Sequence, residues 1–275
     1  ISSWSELLRS PSNSDRFCAA FMQCRDMYIT QESTQSLRSH YQPIDIIAHV
    51  GFMTAEEHNA YHKTSEITSK NRVISRVVRS IMAASSLYHE KFSPDMQELV
   101  KEKYTVEAPS KIRALMDLLA APINRSEKSI VFAHYVQTAV QVDALVRKTY
   151  PHGVAVFLIV SSMNQREREA VLQKCESCRG AAVLVTTKIM SQGRDMSFAN
   201  HTFMLRVWWN DVDASQSRAR TERPDQTRSV FSTQIIMKDT IEELVWMVAR
   251  CKERIKNQVM TGEVTSSLLR NITMM

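Results

Sequence analysis

SIVFAHY (Ser129–Tyr135), VAVFLIV (Val154–Val160) and AAVLVTT (Ala181–Thr187) are three short, nearly unbroken apolar runs rich in β-branched and aromatic residues. Runs of this length and composition, flanked by charged or turn-forming residues, read as strands buried on both faces. Helical patterns separate them. Gln137–Thr149 lies between the first two, and a segment capped by Asn164 and reaching about Cys175 lies between the second and third. Downstream, His201–Val207 and Ser229–Met237 read as a fourth and fifth strand, with a helix around Ala214–Glu222 between them. An apolar-periodic helix over Lys111–Ala120 precedes the first strand, and a helix over Thr240–Val259 closes the series. Continuous apolar strands alternating with helices imply a parallel sheet covered on both faces, hence a doubly wound α/β domain over residues 109–260.

Upstream the texture differs. Residues 2–40 have helical spacing around Phe17, Phe21, Met22 and Met27, and Ile44–Phe52 reads as one short strand. Thr54 with Glu57 three residues later forms a capping box for a helix that starts at Ala55. That helix is expected to run to about Tyr88 with a break near residues 68–72, and the polar residues 91–108 are read as a boundary. The predicted organisation is a mainly helical linker or appendage over 1–108, the α/β domain over 109–260, and a tail over 261–275.

The chain has 275 residues, 44% hydrophobic and 23% charged, which suffices for a substantial core. Its net charge of +6 suits an anionic partner such as nucleic acid, although many unrelated proteins share it. The five cysteines, at 18, 24, 175, 178 and 251, are odd in number and irregularly spaced, which favours a reducing compartment over a disulfide framework. No apolar run reaches the 18 residues of a membrane-spanning helix. The chain begins without methionine and is expected to be a piece of a larger protein.

The residues with chemical potential fall between Val183 and Thr240. A strand ending in Thr187-Lys188 puts a hydroxyl and a cation at the carboxyl edge of the sheet, where open α/β folds bind ligands. A capped surface turn is the plainer alternative. Trp208-Trp209 at the end of the fourth strand are either core residues or a flat face for a base or sugar. Arg220 and Arg223 lie three apart, so on a helix both project from one face. Guanidinium groups are permanently charged and fork onto phosphate oxygens, but a basic helical face is often only solvated.

Taken in order, these segments resemble the Swi/Snf-type superfamily two helicases. WWNDVDASQSRARTERPDQTR (Trp208–Arg228) is similar to the pattern WWNP-x4-QA-x2-RAHR-x-GQ-T-R, with Gln216, Arg220, Arg223 and Gln226 on motif VI positions. TTKIMSQGRDMSFAN (Thr186–Asn200) is similar to motif V, STRAGG-x-GLNLTAAN, with Thr187, Lys188, Gly193 and Asn200 in register. SIVFAHY resembles motif IV, SKIRALMDLL the helix that opens this lobe, and KDTIEELV the start of its final helix.

The resemblance implies a RecA-like fold and the C-terminal lobe of an ATP-dependent motor on double-stranded DNA. Arg220 and Arg223 would be arginine fingers at the carboxyl edge of the sheet, with Gln216 fixing their geometry. Gly193 and Asp195 would lie near the nucleotide. His134, Thr187 and Lys188 would hold DNA phosphates, and Trp209 would lie against the tracked strand. ATP and Mg would be bound mainly by a first lobe, because no GxxxxGK[ST] loop and no Asp-Glu-x-His box occurs in this chain. The isolated chain is therefore expected not to hydrolyse ATP. A nuclear location is implied, with a viral protein acting on DNA as the alternative.

Three departures keep open a degenerate lobe that binds without turnover. Met190 and Ser191 stand where the family pattern has paired glycines, Glu222 and Asp225 add negative charge beside the fingers, and Val160-Ser161-Ser162 replaces the usual DGS turn. No metal site is expected. Cys175-x-x-Cys178 lacks two further ligands, and His58 and His62, four apart on one helix, lack an accompanying carboxylate motif.

Overall fold

The computed structural model describes residues 44–67, 108–133, 135–187, 190, 194–207, 211–223 and 226–261. The helix read over 2–40 and the stretch from 68 to 107 lie outside them, as does nearly all of the tail. The chain divides into two compact units, and His40–Met247 is the one that holds the sheet.

Six strands are found among the described residues: β1 (Ile44–Gly51), β2 (Lys128–Phe132), β3 (Val154–Ile159), β4 (Ala181–Thr186), β5 (His201–Met204) and β6 (Val230–Met237). They form one sheet in the order β1-β6-β5-β2-β4-β3. Every pairing is parallel. This is the doubly wound parallel sheet that the alternating runs predict. The strand read in the upstream region is part of the same sheet: β1 pairs with β6 from Ile44–Val230 to Gly51–Met237. Residues set apart by their helical texture thus supply an edge strand of the α/β domain.

The helices are α1 (Ala55–Ile67), α2 (Ser110–Asn124), α3 (Val136–Thr149), α4 (Gln165–Ser177), α5 (Asp211–Arg218) and α6 (Ile241–Thr261). Period-two alternation in the strands separates two apolar layers. Val131, Val183, Val185 and Phe203 pack with Ile112, Leu115 and Leu119 of α2 and Val142 and Val146 of α3. Their neighbours Ile130, Phe132, Ala182 and Leu184 face the other way, onto Leu172 and Cys175 of α4 and the loop residues Met190, Met196 and Ala199. Burial pushes the Cys175 thiol up to about 12, so it stays protonated as a core residue and is a poor metal ligand.

Local chemistry sets the helix ends. Asn164 Oδ1 accepts from Glu167 N–H at 3.0 Å while Glu167 Oε2 accepts from Asn164 N–H at 2.7 Å, the reciprocal capping box read from the sequence. Thr54 and Glu57 do the same for α1, at 3.2 and 2.9 Å. Helix α2 has proline at its N-cap and no side-chain cap of its own. Glu57 caps it from 53 residues upstream: Ser110 N–H donates to Glu57 Oε1 at 2.7 Å, and the Ser110 hydroxyl bonds the other oxygen. Tyr61 Oη accepts from Ile241 N–H at 2.8 Å, so α1 also meets the start of α6.

Lys111 and Glu242 form a fully buried ion pair that ties α2 to α6. Burial pulls the Lys111 ammonium below its usual value, against the pull of Glu242 in the other direction. Glu242 also accepts Met237 N–H at 3.1 Å, which spreads its charge onto the backbone at the end of β6.

Candidate functional site

Because all six strands are parallel, their carboxyl ends share one edge, and the chain leaves that edge after each strand to cross back. Two crossings matter. Residues 187–200 run from the end of β4 to the start of β5, and residues 205–229 run from the end of β5, through α5, to the start of β6.

At the carboxyl edge Thr187 is buried, with its carbonyl accepting Met190 N–H at 3.2 Å. Met190, which stands where the family pattern has glycine, is 5% exposed and packs into the second apolar layer. A bulky thioether therefore fills space in that apolar layer that a glycine would leave open. His134, Lys188, Gly193 and Trp209 lie outside the described residues. Among the described residues, Tyr135 follows β2 and Arg206 follows β5, and the Arg206 guanidinium carbon sits 6.0 Å from the centre of the Tyr135 ring. Strands β2 and β5 are adjacent, which brings these two together. Burial raises the Tyr135 phenol above its usual value, against the opposing charge of Arg206. Sequence reasoning passed over Arg206 because it sits inside the apolar run LRVWW; a cation in such a run is itself the signal.

The arginine arrangement needs correction. Helix α5 ends at Arg218, not near Glu222, so Arg220 falls in a turn and Arg223 outside any helix or strand. They do not share a helical face. The cause is local: Arg218 O accepts Thr221 N–H at 3.0 Å, the Thr221 hydroxyl at 2.9 Å and Glu222 N–H at 3.2 Å, which closes the helix. Pro224 then disfavours helical backbone at Arg223. Nor do the arginines lie at the carboxyl edge. The fully buried Thr221 has its Oγ1 3.4 Å from that of Thr202, the second residue of β5, so this turn lies beside the amino half of the sheet. A parallel sheet forces this, since the chain must return to the amino edge before β6 begins.

The two crossings meet on that face. Met196 N–H donates to Arg220 O at 2.9 Å. Gln226, 6% exposed, donates its amide to Ser197 O at 2.8 Å and Ala199 O at 3.0 Å, and its Oε1 accepts Arg228 N–H at 3.0 Å. Asp195 Oδ1 accepts Ser197 N–H at 2.9 Å, while its Oδ2 lies 3.6 Å from Arg223 Nε. That separation is an ion pair, too long for a hydrogen bond, and Arg223 Nε is buried with no hydrogen-bond partner. Arg223 as a whole is about one-third exposed. Gln216, on α5, likewise has a buried Oε1 without a partner. On the other side Arg194 pairs with Glu169 and lies 3.7 Å from Glu176, both on α4.

The structure thus brings Asp195 and Arg223 together, with Arg220 held alongside through its carbonyl and Gln216 one turn back on α5. Thr187 stands apart at the carboxyl edge. Arg223 Nε, a buried N–H donor without a partner, is suited to an anionic oxygen, whereas Gln216 Oε1 can only accept and is not. Gln226, at the centre of the packing, is the organising residue; its fixed offset from Arg223 in motif VI was the available signal.

Residues 110–225 match the helicase conserved C-terminal domain. The chain is 28% identical over 176 residues to the DNA repair protein RAD5A of Arabidopsis thaliana, covering 63% of this chain and 17% of that protein. It is 25% identical over 165 residues to the bifunctional helicase and thymine dioxygenase JBP2 of Trypanosoma brucei brucei, covering 60% of this chain and 15% of that protein. The chain spans between 12% and 17% of the length of the first curated relatives it matches. In fold, it is similar to the C-terminal part of the Fun30 ATPase domain, with TM-score 0.64 and 17% identity, over 76% of this chain and 90% of that one. It is also similar to the Sulfolobus solfataricus SWI2/SNF2 ATPase core in complex with double-stranded DNA, with TM-score 0.59 and 17% identity, over 82% of this chain and 49% of that one.

Proposed function

We propose that this chain, which is similar to helicase C-terminal lobes of the Swi/Snf type, serves as the second half of an ATP-dependent translocase on double-stranded DNA. The observation that carries the reading is the union of two crossings on one face: Asp195 and Met196 from the first, Arg220, Arg223 and Gln226 from the second. Residues up to 29 apart in sequence are joined by backbone and amide hydrogen bonds, so a ligand engaging Arg220 and Arg223 is felt by the loop that follows Thr187 and Lys188.

In this reading Arg220 and Arg223 are arginine fingers. When a first lobe presents ATP, their guanidinium groups neutralise charge developing on the transferred phosphoryl group, an effect worth about three to five orders of magnitude in well-studied systems. Gln216 steadies the end of α5 from which they depart. Mg would be held mainly by the first lobe together with the nucleotide, and its chemistry is charge neutralisation there. Lys188, Thr187 and His134 hold DNA phosphates at the carboxyl edge, with Trp209 against the tracked strand. Fuel and track would then occupy different surfaces, joined by the 187–200 crossing. The cellular setting proposed is the nucleus.

A second reading, a degenerate lobe that binds without turnover, is favoured by one observation. Met190 is buried where a glycine would let the backbone approach phosphate.

The test is DNA-stimulated ATP hydrolysis by the full-length protein. Arg220→Ala and Arg223→Ala are each expected to lower kcat by about a thousandfold or more while nucleotide binding is largely kept. Lys188→Ala should weaken DNA binding and reduce its salt slope by about one unit. Full turnover in both arginine variants overturns the finger assignment, and an intact protein with no DNA-stimulated hydrolysis favours the scaffold.

A further inference from the structure

We infer that Asp195 is the resting counter-ion of Arg223, which a phosphate oxygen must displace before Arg223 can act; this rests on the reading of Arg223 as a finger. Three observations carry it. Asp195 Oδ2 is 3.6 Å from Arg223 Nε, close enough to attract the guanidinium but too far to satisfy its N–H, which is buried without a hydrogen bond. The donor is held near an anion and left unspent. Asp195 Oδ1 is occupied by Ser197 N–H at 2.9 Å, which fixes the carboxylate in a turn and keeps Oδ2 presented to Arg223. The preceding residue is anchored as well, because Arg194 pairs with Glu169 and Glu176 of α4. The carboxylate therefore cannot follow a moving arginine far.

Arg223 then has two competing partners. In the free lobe it faces one carboxylate at ion-pair distance. A phosphoryl group offers several oxygens at hydrogen-bond distance and a larger charge, so exchange favours the nucleotide. Because both side chains of the resting pair are partly exposed, at 34% and 50%, water screens the attraction and release is easy. Asp195 is accordingly a positioning residue: it stores the guanidinium near its working place and opposes its transfer to the phosphoryl group. It would not itself hold the nucleotide, since its carboxylate would repel phosphate.

The experiment is steady-state, DNA-stimulated ATPase kinetics on the full-length protein with Asp195→Asn, Asp195→Ser, Arg223→Ala and the double variant Asp195→Asn/Arg223→Ala. Asparagine keeps the Oδ1 acceptor for Ser197 N–H and removes only the charge. Asp195→Asn and Asp195→Ser are expected to raise kcat/KM for ATP by about two- to fivefold, the range of an exposed ion pair. In the Arg223→Ala background, Asp195→Asn should no longer shift kcat/KM. A kcat/KM that falls on Asp195→Asn overturns the inference and assigns Asp195 to the nucleotide directly; an unchanged kcat/KM overturns it too. The two levels separate cleanly. If Arg223→Ala leaves turnover intact, the finger reading fails. If Arg223→Ala lowers turnover about a thousandfold while Asp195→Asn does not raise kcat/KM, only the counter-ion role falls.

Discussion

Met196 gives its backbone N–H to the carbonyl of Arg220 at 2.9 Å, and so the loop that follows the fourth strand is bonded to the turn that ends α5. One hydrogen bond would be a weak link between two surfaces. Gln226 makes it a rigid one, because a single buried amide bridges Ser197 O and Ala199 O and also accepts Arg228 N–H. The whole junction is backbone caught by one side chain.

Gln226→Ala and Gln226→Glu are therefore both expected to destabilise the fold by about 2–3 kcal/mol, the cost of stranding buried carbonyls. Glutamate matches glutamine in shape but an ionised carboxylate cannot donate to Ser197 O and Ala199 O, so it should rescue little. Urea denaturation monitored by tryptophan fluorescence measures the difference. A loss below about 0.5 kcal/mol in both variants would show that the two crossings hold together without this amide.

The Lys111–Glu242 pair gives a prediction of a different kind. Lys111→Met leaves Glu242 as an uncompensated buried charge and is expected to cost about 3–5 kcal/mol. Adding Glu242→Gln restores neutrality while keeping an oxygen for Met237 N–H, so the double variant should be more stable than Lys111→Met alone. Strictly additive losses in a double-mutant cycle would contradict the buried-pair account.

The sheet was legible because continuous apolar runs with β-branched residues have few alternatives to a doubly covered parallel sheet, and Ser129–Phe132, Val154–Ile159 and Ala181–Thr186 are such runs. The caps at Thr54 and Asn164 were legible because a capping box is a purely local interaction. Two things were hidden. The membership of Ile44–Gly51 in the sheet depends on its partner Val230–Met237, some 186 residues away, and no local pattern reports that. The placement of Arg220 and Arg223 was misread because helical spacing in QSRARTER continues past Arg218, whereas the buried hydroxyl of Thr221 ends the helix by bonding Arg218 O. Helical spacing alone favoured four more residues, and the local competition of the Thr221 hydroxyl for the Arg218 carbonyl overrode it.

His201 supplies the pH dependence. Its ring stacks on Phe231 at 5.0 Å and on Phe203 at 6.3 Å, and its Nε2 lies 2.8 Å from Glu127 Oε2, with Arg125 Nη2 at 3.4 Å. Burial lowers the pKa of His201 below 6.5, against the pull of Glu127, so the folded state prefers the neutral ring. A histidine depressed on folding contributes stability that is fully present above the unfolded value near 6.5 and is lost as pH falls through it. Glu127 works in the same direction at lower pH. Burial would raise its carboxyl, but hydrogen bonds from Arg125 and His201 outweigh that and hold it below 4.5, so its contribution is lost as pH falls through the folded value. Unfolding free energy should therefore drop between pH 7.5 and 5.5 with a slope from this site of no more than about 1.4 kcal/mol per pH unit. His201→Gln keeps a donor for Glu127 and removes the titration, so its curve over that window should be flatter than that of the parent, whatever its absolute stability. Parallel curves for the two proteins in urea titrations at matched ionic strength would assign the acid sensitivity to another group.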